Sequence, residues 1–212
     1  MNEPLKSRRE REKQARYDAI LDAAELVFSE KGYDRTSMDD IARTASLSRA
    51  LLYVYFKDKA AIMRRVMLRA GYALLNEFRA ARDAGGSGLQ QLERMGQSYY
   101  RFSLEQPDYF DVLTNASTFA HLMESDEQTE DMETCSALTM GCMVDSLEAG
   151  VTDGSLSRER ISDPMVTAYY LRGALHGIIL QTREQGVCVA GQPDPAALFE
   201  YTIMMFNQSL RA

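Results

Sequence analysis

Between Arg16 and Lys31 the apolar residues Ile20, Ala23, Ala24, Val27 and Phe28 recur at i, i+3, i+4, i+7 and i+8, which puts them on one face of an α-helix. Gly32 supplies its C-terminal stop. Met38, Ile41, Ala42 and Ala45 repeat the spacing over barely two turns, with Thr36 and Ser37 as competing N-caps and Asp39 and Asp40 just behind them, so a short second helix is predicted. Ser46-Leu47-Ser48 breaks the pattern with two cap-type residues, and Ser48 can cap a third short helix. Taken alone, Leu51-Leu52-Tyr53-Val54-Tyr55-Phe56 reads as a buried strand. A strand needs a partner, and the chain offers only the brief Val187-Cys188-Val189. As a helix, Leu52 and Phe56 face inward while Arg49 and Tyr53 share the opposite face.

Asp58 then caps a long fourth helix carrying Ile62, Val66, Ala70, Ala73 and Phe78, which runs toward the breaker Gly85-Gly86-Ser87-Gly88. No strand precedes that glycine run and no Lys-Ser/Thr follows it, so it is a flexible corner rather than a phosphate loop. Further helices are predicted from about Leu89 to Leu104, after Pro107, from about Thr129 to Ala149, from Asp163 to Glu184 and from Pro195 to Leu210. The acidic run Glu124 to Asp131 reads as a solvated loop leading into a helix N-terminus. The fold class is all-α, with no internal repeat.

Composition narrows the chemistry. The 212 residues are 45% apolar and 26% charged, enough for a real core. No apolar stretch reaches the roughly 18 residues of a membrane span, and no signal peptide is recognisable, which predicts a cytoplasmic protein without membrane contact. Three cysteines, Cys135, Cys142 and Cys188, and two histidines, His121 and His176, show no metal-ligand spacing, so no metal site, cofactor or disulfide framework is expected. Without paired carboxylates or a His-based triad, the chain is not read as an enzyme. Charge is the positive signal. Residues 1–70 hold 15 Lys and Arg against 11 Asp and Glu, whereas residues 71–212 hold 9 against 20. A basic N-terminal third beside an acidic remainder suits a chain whose first part meets a polyanion.

A helix, a capped short helix, a tight turn and a second short helix with basic and tyrosine side chains outward is the helix-turn-helix pattern. Residues 36–63 resemble the DNA-binding signature of the TetR family of bacterial one-component repressors. Ile41-Ala42, Leu52-Tyr53-x-Tyr55-Phe56 and Lys57-x-Lys59 carry the likeness, with Phe28-x-x-x-Gly32-Tyr33 upstream. Two positions depart from the family: Ser46 stands where Gly is frequent in the turn, and Ala50-Leu51 replaces Gly followed by a small residue.

From chemistry, the Arg49 fork can reach guanine edges or grip a phosphate. The hydroxyls of Tyr53 and Tyr55 suit phosphate oxygens, and the resemblance implies backbone contact by Tyr53 first; the Tyr55 ring equally suits core packing. Lys59 at a helix N-terminus can hold phosphate. Thr36 and Ser37 offer hydroxyls that also serve as caps, and Ser48 and Ala50 complete the candidate DNA-binding set. Six basic residues against two acidic ones from Lys6 to Arg16 can follow phosphates or enter the minor groove, or form a solvated tail.

The expected organisation is a basic flexible arm over residues 1–15, a helix-turn-helix DNA-binding domain over 16–60 and a helical ligand-binding and dimerisation domain over 61–212. The last two helices are apolar on more than one face and carry Gly173-x-x-x-Gly177, a pattern that suits close helix approach in a homodimer. Tyr99, Phe102, Phe110, Phe119, Met140 and Met143 can line an adaptable apolar pocket, with Arg172 and His176 orienting a polar end of the ligand. The resemblance implies a repressor that binds a palindromic double-stranded operator as a homodimer and is released by a small, mostly hydrophobic effector. A helical small-molecule-binding protein without specific DNA binding is the alternative.

Overall fold

The structure, a computed structural model, describes residues 8–114, 127–183 and 193–212. The named elements among them are nine helices: α1 (Arg8–Lys31), α2 (Met38–Thr44), α3 (Arg49–Tyr55), α4 (Lys59–Asp83), α5 (Gly88–Glu105), α6 (Pro107–Thr114), α7 (Glu127–Asp153), α8 (Pro164–Arg183) and α9 (Pro195–Leu210). The all-α expectation holds. Leu51–Tyr55 is helical, with Phe56 its extended C-cap, because Leu52 and Phe56 are buried while Tyr53 and Val54 are exposed, a 3.6-residue alternation that a two-residue strand period cannot produce. Residues 127–131 of the acidic run lie in the opening turns of α7 rather than in a loop, where the carboxylates of Glu130 and Asp131 favour the positive end of the helix dipole. Phe119 and the strand-like 187–189 lie outside the described residues.

Two compact units emerge, one from residues 1–70 with 111–131 and the other from 71–110 with 132–212. The division falls inside α4, ten residues beyond the expected boundary at 60, because the first turns of α4 bury Ile62, Met63, Val66 and Met67 in the first unit. They join Ile20, Leu21, Ala24 and Val27 of α1, Ile41 and Ala42 of α2, and Leu52 and Phe56 among the buried residues of that unit. Arg69 ties α4 to α1 by reaching Asp22 at 2.6 Å, Glu25 at 3.1 Å and Asp18 at 3.5 Å. The flexible arm is corrected over residues 8–15, which form the opening turns of α1. Arg, Glu, Lys and Gln are good helix formers, and the pairs Arg8–Glu12 and Gln14–Asp18 sit at i, i+4.

In the second unit α5, α8 and α9 pack on one another. Gly88 at the start of α5 lies so close to α7 that a Cβ there would run into the backbone of Ser146 and Gly150. The glycine corner is built rather than flexible. Gly85 and Gly86 take φ of 78° and 84°, Ser87 caps α5 in a reciprocal box with Gln90, and Arg94 donates to the carbonyls of Ala81 and Gly85.

Candidate nucleic-acid interface

Ser37, not Thr36, caps α2. Its Oγ accepts from the Asp40 N–H at 3.2 Å and donates to Asp40 Oδ2 at 2.7 Å, while its own N–H donates back to Oδ2 at 3.1 Å. Lys31 at 2.8 Å and Arg43 at 2.5 Å complete the cluster on Asp40 Oδ1. Hydrogen bonds from Lys31 first, and then from Ser37, hold the Asp40 carboxyl well below the usual carboxylate range. The turn to α3 is closed by Ser46 N–H to Arg43 O at 3.1 Å and Leu47 N–H to Ala42 O at 2.8 Å. Ser46 pays for that geometry with φ of 56°, a left-handed conformation that only glycine adopts without penalty. Ser48 then caps α3 through the Leu51 N–H at 3.2 Å.

Once Leu52 and Phe56 are buried, Arg49, Ala50, Tyr53 and Val54 are the exposed residues of α3. Arg49 is poised by two neighbours: Asp39 of α2 at 3.2 Å and the Tyr53 ring, whose centroid lies 5.6 Å from the guanidinium carbon. The two short helices thus set the direction of the one fork on this face. Sequence reasoning missed Val54, which is 77% exposed. Its signal was present: in the helical reading of Leu51–Phe56, an apolar residue beside Tyr53 necessarily points outward. Arg43, exposed on α2, was also passed over.

Two predicted contacts are corrected. Thr36 is buried and its hydroxyl donates to Gly32 O at 2.8 Å, so it serves the turn between α1 and α2. Lys59 turns its ammonium back onto that same turn, donating to the carbonyls of Tyr33 at 2.6 Å, Thr36 at 2.8 Å and Asp34 at 3.4 Å, over the Tyr33 ring. An ammonium has three protons to donate, and these carbonyls, left over at the end of α1 and its turn, are what they satisfy. Asp58 still caps α4, accepting the Ala61 N–H at 2.7 Å. Tyr55 is half-buried and lines a cleft beside α3.

Of the predicted effector residues, Tyr99, Phe102, Phe110, Met140 and Met143 are buried in the second unit. Tyr99, Phe110 and His176 are brought together: the Tyr99 hydroxyl lies 2.8 Å from His176 Nδ1, and the Tyr99 and Phe110 rings are 5.4 Å apart. Phe78 meets Tyr99 edge-on, and the Arg183 guanidinium sits 4.9 Å from the Phe110 centroid; neither was anticipated. Burial, with a smaller contribution from the Arg172 charge, lowers the His176 pKa. Arg172 itself is exposed and lies over the Tyr169 ring. A separate cavity of about 490 Å³, lined by Glu93, Phe199, Ile203 and Met204 among others, contains none of the predicted effector residues. Among the described residues no group of three or more His, Cys, Asp or Glu could hold a metal ion, and no helix is long and apolar enough to cross a membrane.

Comparison with known proteins agrees with this arrangement. The family described as bacterial regulatory proteins, tetR family, matches residues 20–66, and the tetracyclin repressor-like C-terminal domain matches residues 92–206. Over 45 residues the chain is 49% identical to IcaR, the negative transcriptional regulator of the icaADBC biofilm operon of Staphylococcus aureus strain Newman. That match takes in 21% of this chain and 24% of IcaR, so the chain spans about a quarter of the length of the curated relatives it matches. The fold as a whole is similar to a TetR/AcrR-family regulator from Thermobifida fusca, with a TM-score of 0.70, 23% identity and coverage of 93% of this chain and 100% of that one. It is similar also to the fatty acid degradation regulator FadR from Bacillus halodurans, with a TM-score of 0.69 and 17% identity over 91% of this chain and 94% of that one.

Proposed function

The chain belongs to the tetR family of bacterial regulatory proteins, and from that premise we propose that it is a repressor that binds a palindromic operator as a homodimer and is released by a small, mostly hydrophobic effector. The observation that carries the reading is the outward face of α3, where Arg49, Ala50, Tyr53 and Val54 stand exposed on a helix fixed by caps at Ser37 and Ser48. In a major groove Arg49 grips a guanine edge or a phosphate, Ala50 permits close approach, Tyr53 donates to the backbone and Val54 meets a thymine methyl. Ser37 and Ser48 orient these contacts as caps, and Tyr55 flanks them. Residues Arg9, Arg11, Lys13 and Arg16 extend the positive charge along the start of α1, as backbone contacts rather than as an extended arm.

Dimerisation is assigned to α8 and α9. Val166, Tyr169 and Tyr170 on α8 and Tyr201, Met204 and Met205 on α9 are large apolar side chains left exposed, a concentration that suits an interface. A Cβ at Gly173 or Gly177 would meet nothing within 4 Å inside the protomer, so the small residues there serve approach by a second copy. Two such protomers present their recognition helices about 34–36 Å apart, one turn of duplex. The effector site is assigned to the aromatic group around Tyr99, Phe102 and Phe110 with Met140 and Met143, where the Tyr99–His176 pair and Arg172 orient its polar end. Effector binding favours a conformation whose half-site spacing no longer fits, α4 being continuous through both units.

Titrating the full chain against its own upstream intergenic DNA, with Arg49→Ala and Tyr53→Phe alongside, tests the reading. Tight, salt-sensitive binding weakened by both substitutions is expected; affinity equal to that for random duplex, from this region and from a genomic selection alike, overturns it.

A further inference from the structure

Between α5 and α9 the second unit holds an open cleft of about 490 Å³ that belongs neither to the α3 face nor to the Tyr99 group. Its floor is apolar. Phe199 and Ile203 are 7% and 9% exposed, and Phe199 stacks on Tyr100 of α5 with ring centroids 4.2 Å apart. A Cβ on Gly96 would come within 2.7 Å of Ile203 Cδ1, so glycine is what lets α5 and α9 meet so closely there. Glu200, Met204, Asn207 and Arg211 recur at i, i+4, i+7 and i+11 along one stripe of α9, and Glu93 and Gln97 face them from α5. Tyr170 of α8 meets a different side of α9, edge-on against Phe206. Tyr201 and Met205, each one residue past the stripe, point about 100° away from it. The cleft thus lies on the α5 flank of α9 and touches the assigned dimer face only at Met204.

Two carboxylates line the cleft, one from each helix: Glu93 is half-buried and Glu200 exposed. Among the described residues neither takes part in a hydrogen bond or an ion pair. Cations of this unit are committed elsewhere, Arg82 to Asp145 at 3.0 Å, Arg101 to Glu77 at 2.7 Å, Arg94 to the Ala81 carbonyl and Arg160 to the carbonyls of Gln208 and Ser209. Arg211, the exposed C-cap residue of α9, borders the cleft but pairs with neither glutamate, so the lining stays net negative. Residues 71–212 as a whole hold 20 Asp and Glu against 9 Lys and Arg, a field that draws cations toward the cleft. Gln97, Asn207 and Gln208 add amide oxygens that accept hydrogen bonds. We propose that this cleft binds an organic ammonium ion, a primary amine with an apolar body that lies on Phe199 and Ile203 while its charged end meets Glu93 and Glu200. An ammonium has three protons and no acceptor, which suits two carboxylates and an amide oxygen, and its bonds to carboxylate are charge-assisted. A metal ion fits poorly: no group of three or more His, Cys, Asp or Glu gathers among the described residues, and the apolar floor offers no oxygen ligand. The volume falls within the roughly 300–1,000 Å³ typical of ligand pockets. The site goes beyond the function proposed above, since it shares no residue with the assigned effector group and needs no operator.

The experiment titrates phenethylammonium and hexylammonium into the full chain at constant ionic strength and follows the ligand's proton NMR line width. Saturable broadening by both is expected. 2-Phenylethanol, which keeps the body and loses the charge, is expected to bind at least about tenfold more weakly, as is methylammonium, which keeps the charge and loses the body. Glu93→Gln is expected to lower affinity about tenfold and the more exposed Glu200→Gln about threefold, whereas Glu133→Gln, which removes an equal charge from outside the lining, leaves it unchanged. All three positions are at least partly exposed, and a helical circular dichroism melt confirms that each variant folds. No saturable binding of either amine, equal affinity for phenethylammonium and 2-phenylethanol, or an equal loss in Glu133→Gln and Glu93→Gln overturns the site. Tyr99→Phe keeps it apart from the assigned effector group. Amine binding that survives Tyr99→Phe and falls in Glu93→Gln supports the cleft, and the reverse pattern moves the amine to the effector group and overturns it.

Discussion

Removing the Lys59 ammonium separates a structural staple from a DNA contact. In Lys59→Met the apolar stem remains and only the charged head is removed. That head makes hydrogen bonds of 2.6 and 2.8 Å to the carbonyls of Tyr33 and Thr36, and a long one of 3.4 Å to Asp34. A hydrogen bond to a charged group contributes roughly 1.5–3 kcal/mol, so the two short bonds set an upper range of about 3–6 kcal/mol. The site is only half-buried, so water takes over part of the carbonyls' need and roughly halves that figure. The contact of the ammonium with the Tyr33 ring, 4.2 Å from its centroid, adds about 0.5 kcal/mol. A loss of about 2–3.5 kcal/mol is therefore expected. With eleven tyrosines and no tryptophan in the chain, urea unfolding is followed by helical circular dichroism and tyrosine emission. In parallel, operator affinity is measured over a range of salt. Abolishing one interaction with a DNA phosphate flattens the logarithmic salt slope by about 0.9, and a staple leaves the slope of the folded protein unchanged. An unaltered unfolding midpoint with a slope reduced by about 0.9 would refute the reasoning and return Lys59 to the phosphate.

Ser46→Gly is expected to stabilise the first unit by about 1 kcal/mol, the relief of a left-handed non-glycine residue less the added freedom of the unfolded chain, read as a higher urea midpoint. Gly88→Ala places a Cβ against the backbone of Ser146 and Gly150 and is expected to cost about 2 kcal/mol or more, since neither partner is a movable side-chain tip. Because burial lowers His176 in the folded state, the unfolded chain takes up this proton first. Stability is therefore expected to fall as pH drops from about 6.5 toward the folded-state value, and unfolding at pH 7.5 and 5.5 should show a smaller difference in His176→Gln. Gly173→Glu is expected to leave the protomer folded while sedimentation velocity shifts from dimer to monomer; an unchanged dimer would remove α8 from the interface.

The helices, their caps and the outward face of α3 could be read from the chain because each depends on neighbours within about one turn. Ile20 to Phe28, the Ser37–Asp40 box and the Leu52/Phe56 pair against Arg49/Tyr53 all lie within that range, and the same local pattern carries the family resemblance. Even the start of α1 at Arg8 was locally encoded, in i, i+4 pairs obscured by the density of positive charge. What each polar side chain does with its hydrogen bonds was decided elsewhere. Lys59 looks like a phosphate ligand until folding brings it to carbonyls 23 to 26 residues earlier, and Thr36 looks like a surface hydroxyl until the turn buries it against Gly32. The cleft of Glu93, Glu200 and Ile203 and the Tyr99–His176 pair likewise assemble residues from separate helices. Periodicity reports which face of a helix turns inward, because backbone geometry repeats; it carries no information on which donors and acceptors from distant segments will meet there, and that depends on how the helices pack.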